Sequence, residues 1–128
     1  MVERGFTLME ICIALAIVAI LSALAINQYQ SHVIRSRQGA AKVDLLALLN
    51  EVERTNNPSA SAAYDSAYYR FSTQRLSNEE TGFAIWLVQA VPQGIMRGTG
   101  SLGVDSRGFS CHHPEQDASC VPQQREHW

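Results

Sequence analysis

The chain has 128 residues and a formal net charge of −2 at pH 7, with 46% hydrophobic and 17% charged side chains. This length allows one modest domain with an appendage. The small net charge excludes a global electrostatic attraction to nucleic acid or to anionic lipid, so any basic recognition surface has to be local.

A long apolar segment begins close to the N-terminus. From Ile11 to Ile26 the only polar side chain is the hydroxyl of Ser22. As a helix, residues 6–26 span about 31 Å, which matches the hydrocarbon core of a bilayer. Glu10 stands at the head of this segment, where an ionisable side chain at membrane depth is unfavourable by about 2.5–3.5 kcal/mol. The sequence therefore predicts that Glu10 has a partner.

Two general interpretations of this segment leave something unexplained. A secretory signal peptide would be cut after Ala25, but Glu3 and Glu10 oppose Arg4 in its head, and the helical apolar spacing continues beyond the cleavage point. A plain transmembrane anchor leaves Glu10 without a purpose. Release after Ala25, giving a periplasmic protein that binds a ligand or DNA, stays open as an alternative of a different class.

The third interpretation comes from a resemblance. The sequence GFTLME at residues 5–10, followed by a run rich in Ala, Ile and Leu, resembles the type III signal of type IV pilins and of the related pseudopilins. The resemblance extends over about residues 5–37. It implies that a prepilin peptidase cuts between Gly5 and Phe6, that Phe6 is then N-methylated, and that the apolar helix is retained.

This resemblance supplies a partner for Glu10. Cleavage would give Phe6 an α-amino group, which is mostly protonated at neutral pH. The Glu10 carboxylate could pair with that amine on its own chain or on the neighbouring chain of a filament, whereas either charge left alone in hydrocarbon is strongly unfavourable. We therefore expect Glu10 to be a subunit assembly residue.

Helical spacing of apolar residues continues beyond the membrane-length segment, until Asn56-Asn57-Pro58 predicts the end of the helix. Many pilins carry a glycine and a proline in the first half of this helix, where this chain has Ala19 and Asn27, so we expect a more continuous helix. Gly39 stays as a candidate for local weakness or for close packing. The predicted apolar stripe comprises Ile26, Tyr29, Val33, Leu45, Leu48, Leu49 and Val52.

The remaining chain predicts a small antiparallel sheet. Residues 57–66 are interpreted as a connecting loop, and residues 68–71 and 83–91 as strands, the second with Trp86, Val88 and Ala90 toward the helix. Residues 102–111 predict a hairpin that turns at 105–108. The strand sequence resembles that of minor pilins in particular. The predicted fold is α+β: a long N-terminal helix, with a membrane or filament-core half and an amphipathic half, packed on the sheet.

Three cysteines divide unevenly. Cys111 and Cys120 lie close together and predict a disulfide-closed C-terminal tail if that part is exported, whereas Cys12 is interpreted as a small apolar residue. Cys111, His112 and His113, with Glu115 and Asp117, include zinc-ligand types. Adjacent histidines in an extended segment point apart, however, so we predict a disulfide-closed loop rather than a metal site.

Neither an enzyme nor a cofactor site is predicted. The chain has no glycine-rich phosphate loop and no serine in a Gly-x-Ser-x-Gly context. DNA binding stays open, because phosphate contact needs arginines that converge, and spacing does not show whether they do. The arginines concerned are Arg35, Arg37, Arg70, Arg75, Arg97, Arg107 and Arg125.

The resemblance implies a leader at 1–5, a transmembrane and filament-core half-helix at 6–27, and a periplasmic domain at 28–128, with the helix ending near 56, the loop at 57–66, and the sheet and tail at 67–128. It further implies a minor structural subunit of a type IV pilus, held in the bacterial inner membrane as a single-pass precursor and then carried to the cell surface. Expected partners are other pilins, prepilin peptidase and the inner-membrane assembly machinery. Adhesion, twitching motility or DNA uptake are expected uses, and a pseudopilin of a type II secretion system is the nearest alternative.

Overall fold

The computed structural model describes residues 5–77, 82–114 and 120–122. The chain divides into two compact units, the first ending at Arg35 and the second beginning at Ser36. Both contain part of one helix, α1, which runs without a break over Leu8–Thr55. This continuity agrees with the expectation from Ala19 and Asn27, since neither residue disrupts a helix as Gly or Pro does.

The end of α1 follows from its sequence. Asn56 adopts φ 52°, a left-handed conformation that asparagine tolerates better than most residues, and its N–H donates to the carbonyl of Val52 at 2.8 Å. Asn57 then caps a short 3₁₀ helix, η1, over Pro58–Tyr64, by accepting from the N–H of Ser59 at 3.0 Å. The stretch interpreted as a loop therefore contains a helical turn, begun by an Asn cap and a Pro at the first position.

Four strands form one antiparallel sheet in the order β1-β2-β3-β4. They are β1 Tyr69–Ser77, β2 Ala84–Pro92, β3 Ser101–Asp105 and β4 Ser110–His113. A second 3₁₀ turn, η2, occupies Gly94–Met96 between β2 and β3. The β3–β4 turn closes where expected, with the N–H of Gly108 donating to the carbonyl of Asp105 at 3.0 Å. The predicted α+β class is confirmed.

One core lies between α1 and the sheet. The helix contributes Ala41, Leu45, Leu48 and Val52, each no more than 3% exposed and spaced three or four residues apart. The register puts Val88 opposite Val104, so both lie on one sheet face, and Val104 lines a groove together with Leu46 and Leu49 of α1. The Trp86, Val88 and Ala90 face of β2 is thus the helix-facing one, as expected.

The other face of β2 is buried as well, which the sequence did not predict. Gln89 is 2% exposed and its side-chain amide donates to the carbonyl of Cys120 at 2.7 Å. Gly103 lies opposite Gln89, and a Cβ there would stand 2.5 Å from that same Cys120 carbonyl oxygen. The backbone around Cys120 therefore covers this face, and a buried amide is tolerated because it is hydrogen-bonded.

Candidate functional site

The head of α1 is organised by a reciprocal pair of hydrogen bonds. The N–H of Thr7 donates to the Glu10 carboxylate at 3.4 Å, and the N–H of Glu10 donates to the Thr7 hydroxyl at 3.3 Å. This arrangement is a capping box, in which side chains accept from backbone donors of the first turn. The Glu10 N–H is shared with the Thr7 carbonyl oxygen, at 3.1 Å. The Glu10 carboxylate also lies in the first turn, near the positive end of the helix dipole.

Sequence reasoning missed this second role of Glu10. The signal was present, because Thr7-x-x-Glu10 immediately before an apolar run is the sequence pattern of a capping box. Glu10 therefore has a local hydrogen-bonding partner before any cleavage. A variant that removes the whole side chain would remove a helix cap together with a charge, so the two roles have to be separated experimentally.

The predicted cleavage site precedes the helix. Gly5 and Phe6 lie outside α1 in irregular backbone, Phe6 is 82% exposed, and no neighbouring atom lies within 4 Å of a Cβ built on Gly5. The bond between them is therefore accessible. Phe6 and Glu10 line the same surface depression on the first turns of α1. The nitrogen that cleavage would free belongs to the residue just before Thr7, whose N–H already contacts Glu10.

The apolar half of α1 has no covering layer. Every residue over 8–32 is exposed, and no part of its most apolar stretch of 18 residues is buried. By length and composition this helix can cross a membrane. Ser22, the hydroxyl residue of the 11–26 run, is satisfied within the helix, because it donates to the carbonyl of Val18 at 2.7 Å. This surface therefore suits a lipid or protein environment rather than water.

The second group of predicted site residues is joined by a covalent bond. Cys111 and Cys120 form a disulfide with their Cα atoms 6.1 Å apart, and both are buried. Cys12 is a free, exposed thiol on the apolar half of α1. The carbonyl of Cys120 accepts a hydrogen bond from the buried side-chain amide of Gln89. The disulfide therefore holds Cys120 against the sheet in the position that satisfies this amide.

The histidine cluster has other contacts. Cys111 is committed to the disulfide, and a ring nitrogen of His112 lies 3.2 Å from the carbonyl oxygen of Thr99. No group of three or more potential metal ligands occurs among the residues that the structure describes. Glu115 and Asp117 lie outside the described residues, so the structure does not test their part in the zinc-site alternative.

Several arginines are directed to different aromatic rings. Arg37 stacks on Tyr68 at 4.1 Å, Arg75 lies 5.6 Å from the ring centre of Trp86, and Arg107 lies 5.1 Å from that of Phe109. Such stacking occupies one face of each guanidinium. Arg107 also forms a 2.6 Å ion pair with the buried Asp105. Arg125 lies outside the described residues. These contacts direct Arg37, Arg75 and Arg107 to separate rings rather than into one phosphate-binding cluster.

Comparison with known proteins gives partial matches to fimbrial proteins. The chain is 51% identical over 35 residues to the type IV major fimbrial protein FimA of Dichelobacter nodosus, covering 27% of this chain and 22% of that protein. It is 49% identical over 46 residues to the type IV major pilin protein PilA of Myxococcus xanthus, covering 36% and 21%. A fimbrial protein of Pseudomonas aeruginosa matches at 41% over 51 residues, covering 40% and 33%.

These matches support the resemblance to type IV pilins, but only over part of each protein. The alignments with these three relatives span between about a fifth and a third of the relatives' length. No protein-family model and no solved structure matches the chain. The resemblance to type IV pilins is thus confirmed over part of the chain. The minor-pilin subtype is not supported by these relatives, two of which are named as major subunits, and it stays a prediction.

Proposed function

We propose that this chain is a structural subunit of a type IV pilus, cut between Gly5 and Phe6 and held in the filament by its apolar half-helix. The observation that carries the proposal is the fully exposed apolar surface over residues 11–26, headed by the Glu10 carboxylate close to the predicted cleavage site. Since the relatives are named as fimbrial and pilin proteins, we propose a pilus subunit rather than a secretion pseudopilin.

In the filament, the apolar half-helix lies among the corresponding helices of other subunits, and Glu10 pairs with a Phe6 amine. The pairing neutralises a carboxylate that would otherwise be buried without an opposite charge. In the precursor, the same helix spans the inner membrane with the second unit in the periplasm. Partners are then other pilins, prepilin peptidase and the assembly machinery, and N-methylation falls on Phe6. The subunit has no catalytic role.

Retention of the helix is favoured over release after Ala25. Ala23, Leu24 and Ala25 lie in the interior of the unbroken α1, so cutting there would require the helix to open first. A protein released after Ala25 would also lose the exposed apolar surface of α1, and the apolar composition of the N-terminal region would then have no role in the mature protein. Mass spectrometry of the mature N-terminus separates the two, since a methylated Phe6 and a start at Ile26 are mutually exclusive.

The decisive variant set separates the charge of Glu10 from its cap. Glu10→Gln keeps a side chain able to complete the capping box but removes the carboxylate, whereas Thr7→Ala removes the hydroxyl cap and keeps the carboxylate. We expect Glu10→Ala and Glu10→Gln to lower the amount of the chain in sheared filaments by at least about tenfold, because an unpaired buried amine remains. Thr7→Ala should stay close to the unmodified chain.

Immunoblots of the sheared-filament and membrane fractions measure this difference. If Glu10→Gln entered filaments as well as the unmodified chain, the charge pair would have no part in assembly. If the unmodified chain stayed out of filaments, or began at Ile26, the pilus proposal itself would be wrong. The abundance of the chain along sheared filaments also distinguishes a minor from a major subunit.

A further inference from the structure

A groove opens at one end of the second unit, between the last turns of α1 and the β3–β4 hairpin. Leu46 and Leu49 of α1 and Val104 of β3 supply its apolar floor, and Leu46 is 51% exposed. Its volume is about 290 Å³. Pockets for small ligands have about 300–1,000 Å³, so this groove suits one or two side chains rather than a helix.

The groove has one uncompensated charge at its rim. Glu53 is exposed, and no ion pair involving it occurs in the described part of the chain. Its neighbour Glu51 is already paired with Arg54 at 3.0 Å. The other carboxylate at the groove, Asp105, is buried and neutralised by Arg107 at 2.6 Å. The groove therefore favours an aliphatic group that carries a positive charge close by.

The second unit presents such a group on η2. Ile95 is 75% exposed, and the exposed Arg97 follows two residues later, with no ion pair among the described residues. We call this pair the η2 knob. Its backbone is held firmly, because Met96 is 1% exposed and the N–H of Thr99 donates to the Met96 carbonyl at 3.1 Å. A preorganised apolar side chain loses little entropy on binding.

Glycine is required at the base of the knob. Gly94 has φ +61°, and a Cβ there would stand 2.9 Å from the backbone oxygen of Ala67. Both facts disfavour any other residue. The turn that presents Ile95 to solvent is therefore fixed by local geometry and by packing against the chain beside it.

The knob and the groove lie at opposite ends of the second unit. The Gln38 side chain donates to the carbonyl of Thr99 at 3.3 Å, which places the η2 end beside the beginning of this part of α1. Glu53 stands about 22 Å farther along the same helix, at 1.5 Å per residue. The sheet agrees, since β2 ends just before η2, whereas Asp105 at the groove pairs with Leu87, five residues before the end of β2.

We propose that the η2 knob of one copy of this chain docks in the groove of the next copy. Ile95 packs on Leu46 and Leu49, and Arg97 pairs with Glu53. Because the two surfaces differ and lie at opposite ends, the contact is head-to-tail and can repeat without closing, as in a filament. The inference goes beyond the proposed function, since it concerns the second unit and does not involve Glu10.

Cysteine cross-linking of the full chain tests this contact. In a Cys12→Ala background, copies carrying Ile95→Cys are mixed with copies carrying Leu46→Cys and a different tag, and a short bismaleimide is added. We expect mixed dimers joined between positions 95 and 46. Phe83→Cys is the matched control, because Phe83 is 76% exposed, as Ile95 is, and lies outside both surfaces.

Charge reversal supplies the second test. Glu53→Arg or Arg97→Glu alone should lower the cross-link yield by about fivefold, corresponding to an exposed ion pair. Together in every copy, the two changes should restore the yield to within about twofold. Equal yields for positions 95 and 83, or single reversals without effect, would overturn the proposal.

The outcomes separate this contact from the pilus assignment. In sheared filaments, a chain that is present but lacks the 95–46 cross-link contradicts the docking and leaves the pilus proposal intact. A cross-link from position 95 to a different pilin, in place of 46, contradicts the self-contact. If the chain is absent from filaments, the same cross-linking on the detergent-solubilised full chain tests the docking. More 95–46 product than 83–46 product would support it, and equal amounts would contradict it.

Discussion

The two parts of α1 are one continuous helix with opposite surroundings. Over residues 11–26 every side chain is exposed although the sequence is apolar on all sides apart from Ser22, whereas the later part buries a single stripe against the sheet. A helix that is hydrophobic all round needs an apolar environment on all sides, while a striped helix needs one partner surface. The first part therefore depends on lipid or other chains, and the second is satisfied within its own unit.

The same substitution should affect stability strongly in the second part of α1 and hardly at all in the first. Leu48 is 0% exposed and Leu15 is 64% exposed. Leu48→Ala should lower the free energy of unfolding of the second unit by about 2–5 kcal/mol, because it leaves a cavity in the core. Leu15→Ala should change it by less than about 0.5 kcal/mol. Urea unfolding of the full chain in detergent micelles, followed by tryptophan fluorescence, measures both, and equal losses would contradict the division.

The disulfide should have a smaller effect, confined to the second unit. Replacing both Cys111 and Cys120 with Ser should lower the free energy of unfolding by about 2.5 kcal/mol, from the chain entropy of the short loop that it closes. Cys12→Ala, in the apolar half, is the matched control and should leave unfolding unchanged. Reductant should destabilise the unmodified chain but not the double variant, in the same urea titration. A double variant as stable as the control would show that the tail stays in place without the bond.

Two glycines give the smallest effects, and these have opposite signs. At Gly103 a Cβ would meet the Cys120 carbonyl oxygen at 2.5 Å, so Gly103→Ala should destabilise the second unit by about 1–3 kcal/mol. At Gly39 nothing lies within 4 Å, so Gly39→Ala should stabilise α1 by about 0.8–1 kcal/mol. Thermal unfolding followed by circular dichroism measures whether each variant is less or more stable than the unmodified chain. If Gly39→Ala stabilised the chain but reduced its entry into filaments, Gly39 would be a packing position between subunits.

Sequence reasoning was most successful where neighbours along the chain decide the structure. The helix end at Asn56 and the turn at residues 105–108 follow from local conformational preferences, and the buried stripe follows from periodicity. The motif GFTLME is equally local, which explains why a resemblance to type IV pilins was recognisable from so short a segment. The capping box of Thr7 and Glu10 was readable in the same way but was overlooked beside the charge argument.

What the sequence determined by itself is therefore the long two-part helix, its carboxylate at the head, and the order of elements behind it. Only the tertiary structure decided that the Gln89 face is buried beneath Cys120 and which aromatic rings Arg37, Arg75 and Arg107 contact. It also decided that the η2 knob and the groove lie at opposite ends of one unit. These facts join residues far apart in the chain. They depend on strand register and on which surfaces pack against each other. The spacing of residues along the sequence reveals neither of these.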